Sequence, residues 1–347
     1  MKQTFSDTTK PISRRAFLSL TGALSLGVAT VGIPLPTEAV QFSRTLYKVS
    51  KSQLGMGTFI NMIAFHPSKE EAEEAMGRAF EEINRLTSRM TRFQSTSYIG
   101  HLNTTGSLKG APSEVMEVLR SSLRYHTISQ GAFDITVMPI VDLYQHSFQA
   151  NNAPPSPQVL EETMDRVDSQ YLTMTTDSVS FARSGMEVTL DGIAKGYIID
   201  RAMDLLRQQN IQHALINAGG DIVVDGGKGE GKPWSIGIQD PWNRKRYVDV
   251  VTLNSGAIAT SGNYEVFFDR QKLFHHLIVP NTGSPALDIA SVSIQATTAM
   301  GADALSTTAY VMGPANGAKF INQTPGIEGL IINSRKQKIS SSGWKRS

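Results

Sequence analysis

The fold class of this chain is indicated most directly by residues 214–224, which read Ala214-Leu215-Ile216-Asn217-Ala218-Gly219-Gly220-Asp221-Ile222-Val223-Val224. Two short apolar runs, residues 214–217 and 222–224, flank a glycine pair and an aspartate, which is typical of two strands joined by a turn or bulge. Similar short runs follow at residues 234–238, 247–253 and 275–279. This half of the chain therefore predicts a sheet of short strands.

Upstream of these runs the spacing of apolar residues predicts helices. Ser68 and Glu71 form a capping box ahead of a long amphipathic helix over residues 69–90. Other helices are predicted over residues 113–130, ending before Gly131, over about 197–209, and near 302–312. Helices followed by strands favour an α+β fold over regular βαβ winding. The Pro- and Asn-rich residues 150–158 predict a loop that could mark a domain boundary.

Composition narrows the function classes. The 347 residues carry 33 Lys and Arg against 31 Asp and Glu, a formal charge of +2, and residues 1–39 account for that whole excess. The remaining body is neutral and gives no electrostatic reason to expect nucleic acid as a partner. The chain has no cysteine, which excludes disulfides, thiolate catalysis and iron–sulfur clusters.

The N-terminus has the order of an export signal. Ser13-Arg14-Arg15-Ala16-Phe17-Leu18 is a twin-arginine pattern that precedes an uncharged stretch to Ile33 and a small-residue step at Thr37-Glu38-Ala39. We expect residues 1–39 to be removed and residues 40–347 to work in the periplasm without stable membrane insertion. The alternative is an uncleaved transmembrane anchor.

Four segments contain residue types that suit metal binding, ligand binding or catalysis. Asp303 and Thr307 lie four residues apart, so on a helix they share one face, where two oxygen ligands suit Mg²⁺; the alternative is an acid that favours the helix N-terminus. Lys195 follows Gly192 at a strand-to-helix junction of a kind that can meet phosphate, although a tight turn with a solvated lysine explains it too. Residues 217–221 fit either a turn or a close approach to a flat ligand.

The adjacent His275 and His276 precede a turn at residues 280–283. Neighbouring residues on a strand face opposite ways, so one of the two can enter a site, and His276 is a candidate general base; a structural histidine is the alternative. The sequence has no His-x-x-x-His pair and no cysteine ligand, which argues against zinc.

In this order the segments resemble the ApbE family, the FAD:protein FMN transferases. The resemblance covers nearly all of residues 50–335. It rests on the following blocks: Met56-Gly57-Thr58, residues 90–103, Gly131-Ala132-Phe133-Asp134-Ile135-Thr136-Val137-Met138-Pro139, residues 191–197 and 217–221, Ala259-Thr260-Ser261-Gly262-Asn263-Tyr264-Glu265, residues 276–283 and residues 302–307. It implies one flavin transferase domain over residues 40–347, with two closely associated α/β subdomains and FAD between them.

The resemblance also implies a reaction and its residues. FAD is the substrate, Mg²⁺ the metal, and FMN is moved onto a threonine of an acceptor flavoprotein with release of AMP. His276 matches the catalytic histidine, and Gly192, Asp303 and Thr307 match the metal-binding positions. The positions that line FAD are matched by Met56, Phe93, Ala132, Phe133, Asp134, Thr189, Lys195 and Leu277.

Two residues depart from the family pattern. Thr189 stands where an acid is common and Asp191 where a small residue is frequent, and a neutral Thr189 can still hydrogen-bond FAD. The acceptor implied by the resemblance is an Rnf- or Nqr-type subunit or a regulator of nitrous-oxide respiration. Two alternatives stay open: an Mg²⁺-dependent FAD pyrophosphatase that yields FMN and AMP, and a non-catalytic FAD-binding protein.

Overall fold

The computed structural model describes residues 33–34, 37–229, 231–263, 268 and 274–344. Most of the predicted export signal, together with Tyr264 and Glu265, lies outside these residues. The strands, in chain order, are β1 (Ile33–Pro34), β2 (Glu38–Gln41), β3 (Tyr47–Gly55), β4 (Thr58–His66), β5 (Ser107–Leu108), β6 (Leu172–Met174), β7 (Val179–Phe181), β8 (Ala214–Ala218), β9 (Asp221–Asp225), β10 (Trp234–Gln239), β11 (Tyr247–Leu253), β12 (Gly256–Gly262), β13 (Ile278–Val279), β14 (Ser284–Pro285), β15 (Ile289–Ala296), β16 (Glu328–Asn333) and β17 (Lys338–Ser340).

The α-helices lie mainly between β4 and β8 and again after β15. They are α1 (Lys69–Met90), α2 (Tyr98–Thr105), α3 (Ser113–Ile128), α4 (Met138–Asn151), α5 (Pro157–Met164), α6 (Ala194–Gln208), α7 (Ala299–Val311) and α8 (Gly313–Gln323).

A large antiparallel sheet organises the fold. Its strands run in the order β1-β3-β4-β8-β9-β12-β15-β16-β17, and β2 also pairs with β3. Every described pairing in this sheet is antiparallel. Regular βαβ winding would give parallel neighbours, so the antiparallel pairing together with the helices confirms the predicted α+β class.

Both faces of the sheet are covered. Helices α1, α6 and α7 pack on one face, where the main core includes Ile60, Met76, Ile199 and Ala302. The β10–β11 hairpin covers the other face through Trp234 and its apolar neighbours. Burial of these side chains, at about 25 cal/mol per Å² of apolar surface, fixes α6 and α7 against the sheet that holds the site.

The long helix begins and ends where the sequence predicts. The Ser68 side chain accepts a hydrogen bond from the Glu71 N–H at 3.2 Å, which confirms the N-cap, and the helix runs over Lys69–Met90. Helix α3 ends at Ile128, close to the predicted end, and Gly131 has a φ of +85°. The prediction of a helix near 302–312 is confirmed by α7, which starts three residues earlier.

Other predicted bounds need correction. Helix α6 begins at Ala194 and not at Tyr197, and the predicted loop 150–158 is shorter because α4 reaches Asn151 and α5 begins at Pro157. The strand predicted over residues 275–279 is wrong in its first half, since β13 holds only Ile278 and Val279. Within the part of the chain that the structure describes, no helix is long and apolar enough to cross a membrane.

Candidate active site

Helix α7 carries the two predicted metal ligands, and its N-terminus is doubly capped. The Thr298 side chain accepts the Gly301 N–H at 3.1 Å. The Asp200 carboxylate, which comes from α6, accepts the N–H groups of Ala299 and Met300, each at 2.8 Å. These bonds satisfy amides that a helix N-terminus leaves without partners, and they fix α7 against α6.

Asp303 is buried, with 4% of its surface exposed, and is held by the backbone of α6. Its Oδ2 accepts the Gly196 N–H at 3.1 Å. A Cβ on Gly196 would lie 2.3 Å from the Ala299 carbonyl oxygen, so glycine is required for this close approach. The glycine that the sequence places after Lys195 therefore lets the two helices meet at the carboxylate.

Thr307 lies one turn further along α7 within a group of hydroxyls. Its Oγ1 is 3.1 Å from Ser261 Oγ, which in turn is 2.7 Å from Ser306 Oγ. A Cβ on Gly192 would lie 3.0 Å from Thr307 Oγ1, so the backbone of Gly192 is immediately beside that hydroxyl. The structure thus brings the predicted Gly192 and Thr307 together, with Asp303 on the same helix.

Gly192, Asp303 and Thr307 form a group, here called the oxygen-donor group, whose donor chemistry fits Mg²⁺. A carboxylate, a hydroxyl and a backbone carbonyl are hard oxygen donors, which Mg²⁺ and Ca²⁺ prefer. A side chain at Gly192 would fill the space next to Thr307 Oγ1. Ser261 and Ser306 add further hydroxyls to the same place.

Lys195 is held at the start of α6 by a buried partner. Its Nζ lies 2.8 Å from Oδ2 of Asp221, a residue that is 2% exposed, at the first position of β9. Pairing of a buried carboxylate with this lysine compensates the cost of burying its charge. The ion pair joins two of the motifs singled out in the sequence.

Two tight turns meet at this end of the sheet. Met56 and Gly57, which join β3 to β4, have positive φ values of 50° and 71°. A Cβ on Gly219, in the β8–β9 turn, would lie 2.5 Å from Thr58 Oγ1, so the turns are in close contact. Positive φ is uncommon for a residue with a side chain, which makes Met56 a constrained position at the predicted FAD site.

Phe133 and Asp134 are consecutive residues that face different surroundings. The Phe133 ring, which is 3% exposed, lies 3.5 Å from a Cβ built on Gly192 and so borders the oxygen-donor group. The Asp134 carboxylate caps a short 3₁₀ helix and accepts from the backbone and hydroxyl groups of Thr136 and Ser169 at 2.6–2.9 Å. The backbone at Asp134 is extended, and because successive side chains on an extended chain point to opposite sides, Phe133 and Asp134 face different surroundings.

His126 completes a polar cluster with Asp134 and Asp168. Its Nδ1 lies 3.2 Å from Asp134 Oδ2 and its Nε2 3.5 Å from Asp168 Oδ1. The hydrogen bond with Asp134 raises the pKa of His126 against the opposing effect of burial. Burial alone would raise the pKa of Asp134, but hydrogen bonds from His126, Thr136 and Ser169 outweigh it and lower that pKa. The three side chains line a cavity of about 580 Å³ that Gly131, Pro280 and Asn281 also border.

The two adjacent histidines differ in burial, although the strand on which that difference was expected begins only at Ile278. His275 is 1% exposed, and its Nε2 lies 2.9 Å from the Ala286 carbonyl oxygen, which gives it a structural role. His276 is only partly buried, and it lies at a bend and not on a strand. Leu277, the predicted FAD contact beside it, is buried in the same core cluster as Phe133.

Phe93 is exposed, and its neighbour Arg92 connects it to Asp191. Its ring lies under the Arg92 guanidinium at 4.1 Å, and Arg92 Nε is 3.2 Å from Asp191 Oδ2. Thr189 is anchored through its backbone N–H to the Ile135 carbonyl oxygen at 2.8 Å, and its Oγ1 accepts the Asp191 N–H at 3.2 Å. The departure at Asp191 therefore has a partner in this chain: an arginine that covers the Phe93 ring.

Comparison with known proteins decides the family. Residues 56–331 match the profile of the ApbE family. The chain belongs to the ApbE family. Its relatives include a protein of Haemophilus influenzae named FAD:protein FMN transferase, which is 30% identical over 340 residues, 92% of this chain and 96% of the relative. A protein of Escherichia coli with the same name is 31% identical over 255 residues, 70% of this chain and 71% of the relative.

Solved structures agree with this assignment. An ApbE protein from Thermotoga maritima matches with a TM-score of 0.78 at 27% identity and covers 85% of this chain and 97% of its own. The flavin transferase ApbE from Vibrio cholerae matches with a TM-score of 0.73 at 26% identity, over 88% of this chain and 98% of its own. The ApbE fold predicted from the sequence is confirmed.

Several residues around the ApbE site were not singled out from the sequence. Ser261 lies within a block that carried the resemblance, and Asp221 ends another, so both had a signal. Asp200, His126 and Asp168 had none, because no spacing rule connects them with their partners, which lie 8 to 100 positions away in the chain.

Proposed function

We propose that this chain is an Mg²⁺-dependent FAD:protein FMN transferase. In this reaction a threonine hydroxyl of an acceptor protein attacks the phosphorus of the FMN half of FAD. The bond between that phosphorus and the bridging oxygen breaks, and AMP leaves with that oxygen. The observation that supports the proposal, for a chain of this family, is that the Gly192 backbone lies beside the Thr307 hydroxyl on α7, the helix that also carries Asp303.

The oxygen-donor group has the role of holding the metal. Asp303, Thr307 and the Gly192 carbonyl would hold Mg²⁺, which when bound neutralises charge on the pyrophosphate and on the departing AMP. The Gly196 N–H and the hydroxyl of Ser261 hold the two side chains in place. Such pre-set positions matter because phosphoryl-type transfer depends mainly on alignment and charge.

Lys195 and His276 supply the positive charge and the general base that the transfer also needs. The Lys195 ammonium, at the first turn of α6 and held by Asp221, adds positive charge where a helix N-terminus also favours phosphate. His276 takes the proton from the attacking threonine, a contribution of roughly 10²–10⁴-fold in general-base catalysis. Its partial exposure suits a group that must meet a second protein.

Five apolar residues form the lining for FAD. Met56, Phe93, Ala132, Phe133 and Leu277 supply apolar surface, and the Arg92 guanidinium already covers one face of Phe93. Thr189 is held next to Asp191 and offers its oxygen in place of the common acid. Asp134 contributes through its place in the turn, since its carboxylate is bonded to Thr136 and Ser169.

The two other functions are less well supported. A pyrophosphatase would use the same metal residues with water in place of threonine, and a carrier would need no base. Relatives named FAD:protein FMN transferase cover almost the whole chain, which favours the transferase. From the twin-arginine pattern we place the enzyme in the periplasm, with an Rnf- or Nqr-type subunit or a regulator of nitrous-oxide respiration as acceptor.

Incubation with FAD, Mg²⁺ and a tagged candidate acceptor, followed by intact mass measurement, tests the proposal. We expect an FMN-sized mass gain on the acceptor that is lost with EDTA. Free FMN and AMP without a gain on any acceptor of the three classes would instead establish the pyrophosphatase.

A His276→Ala variant tests the base. We expect transfer to fall by roughly a hundredfold or more while FAD binding, measured by flavin fluorescence, stays unchanged. The control is His101→Ala, at an exposed position on α2. Equal loss in both variants, or none in either, would remove His276 from the mechanism.

A further inference from the structure

The cluster of His126, Asp134 and Asp168 has a geometry that the proposed transfer does not use. Both nitrogens of the His126 ring face carboxylates, Nδ1 toward Asp134 and Nε2 toward Asp168. Only 11% of the His126 side chain is exposed, against 2% for Asp134 and 33% for Asp168. The ring therefore has a buried carboxylate behind it and a partly exposed one in front.

Asp134 orients the ring as an outer carboxylate does in metalloproteins. Metal-bound histidines almost always donate the second ring N–H to a carboxylate or carbonyl, which fixes the ring and its tautomer. Here Nδ1 is 3.2 Å from Asp134 Oδ2 and 3.2 Å from the Phe133 carbonyl oxygen. Asp134 is itself fixed by Thr136 and Ser169. This arrangement leaves Nε2 directed to the Asp168 side.

The distance between the two front atoms fits one cation. Two ligands at about 2.0–2.2 Å from a zinc-like ion, at a tetrahedral angle, lie about 3.4 Å apart. His126 Nε2 and Asp168 Oδ1 are 3.5 Å apart. Asp168 Oδ1 is also held by the Gln170 N–H at 2.8 Å, so the carboxylate has a defined position. The cavity of about 580 Å³ beside them has room for water ligands and is bordered by Asn281 and Gln130.

We propose that His126 Nε2 and Asp168 Oδ1 bind a divalent transition cation such as Zn²⁺, with Asp134 orienting the imidazole. One nitrogen and one carboxylate donor suit Zn²⁺ and its neighbours better than Mg²⁺. The site is separate in donor chemistry from the oxygen group of Asp303 and Thr307. It does not depend on the proposed function, because the two proposed ligands, His126 and Asp168, have no role in the transfer step.

The cation would connect parts of the chain that are distant in sequence. His126 is at the end of α3, and Asp168 precedes β6. Asp134 is itself assigned to FAD by the resemblance, together with Ala132 and Phe133 directly before it. A bound ion would thus stiffen the segment that carries Phe133 and border the cavity next to Pro280 and Asn281.

Equilibrium dialysis of the full-length protein against Zn²⁺ tests the site. The protein is first treated with EDTA and desalted, and the dialysis buffer contains saturating Mg²⁺ so that the oxygen-donor group is occupied. We expect one Zn²⁺ per chain, and binding at least roughly tenfold weaker in both Asp168→Asn and His126→Gln. Asp168 is partly exposed, so Asp168→Asn is expected to fold even if His126→Gln does not.

Two controls make the result specific. Asp303→Ala is expected to keep the Zn²⁺, because it alters only the other group, and His101→Gln is expected to keep it because His101 lies on an exposed face. Absence of Zn²⁺ in the wild type, unchanged binding in Asp168→Asn, or loss of binding in Asp303→Ala would each overturn the proposal.

Discussion

Phe133 and Asp134 lie between two polar regions. The regions differ in the kinds of ligand atom that they offer and in the parts of the chain that supply those atoms. Beside Phe133, the Asp303 and Thr307 group consists of oxygen donors supplied by α7, by Gly192 just before α6 and by the adjacent β12. Beside Asp134, the His126 cluster combines an imidazole with two carboxylates that the turns around α3 and β6 supply. The same stretch of chain therefore borders both a group of oxygen donors and a mixed nitrogen–oxygen group, and donor type distinguishes them.

The largest effect is expected in the oxygen-donor group. Asp303→Ala removes the buried carboxylate that we propose as a ligand of Mg²⁺, so FMN transfer should fall by at least about a hundredfold. This fall is measured from the initial rates of transfer at several Mg²⁺ concentrations, which are read from the intact mass of the acceptor. The matched control, Asp177→Ala, changes an exposed aspartate and should keep full activity. Wild-type rates in Asp303→Ala would remove the distinction between the two regions.

The His126 cluster should respond in stability rather than in transfer chemistry. His126→Gln, measured in EDTA, removes the imidazole bonded to the buried Asp134 and should lower the free energy of unfolding by about 2 kcal/mol. His101→Gln, on an exposed face, should change it by less than about 0.5 kcal/mol. Urea denaturation gives both values. Equal stability of the two variants would mean that Asp134 is satisfied without His126.

Asp200 sets a pH dependence on the α6–α7 contact. Burial raises the pKa of Asp200 to about 6, although the N–H groups of Met300 and Ala299 oppose the shift. Because the folded pKa lies above the unfolded value, the related stability is present at low pH and is lost as pH rises from about 4 through 6. Relative to Asp200→Asn, the wild type should lose on the order of 2 kcal/mol over this range, after allowance for partial exposure.

Denaturation midpoints of both proteins between pH 4 and 7.5 measure this difference. Asp204 and Arg207, which also act on the Asp200 carboxylate, are present in both proteins and cancel in the comparison. Parallel pH profiles for the two proteins would show that Asp200 is not the group responsible.

The smallest effect tests the contact between Gly192 and Thr307. In Gly192→Ala the new Cβ would lie 3.0 Å from Thr307 Oγ1, so the hydroxyl must shift and half-saturation by Mg²⁺ should need about tenfold more metal. Gly77→Ala is the control, since its Cβ meets nothing closer than 3.9 Å and sits within α1, where alanine stabilises. An unchanged Mg²⁺ requirement in Gly192→Ala would place the backbone of Gly192 outside the metal group.

Much of the fold was predictable because its signals are local. The Ser68 cap, the periodicity of α1 and the strand run of β11 each depend on neighbours within a few residues, and they appear in the structure at the predicted places. The His275 segment was harder. Its apolar and polar pattern resembles a strand, but the Ala286 carbonyl holds His275 in place and the chain bends at His276.

The fold class, the family and the helical pair of Asp303 and Thr307 could be predicted without a structure, because spacing along one helix and short-range patterns contain that information. Only the tertiary structure decided that Asp200 caps α7, that Asp221 holds Lys195, and that His126 stands between Asp134 and Asp168. These contacts join residues that are 8 to 100 positions apart. The packing of whole elements on the sheet brings them together, and no local pattern encodes that packing.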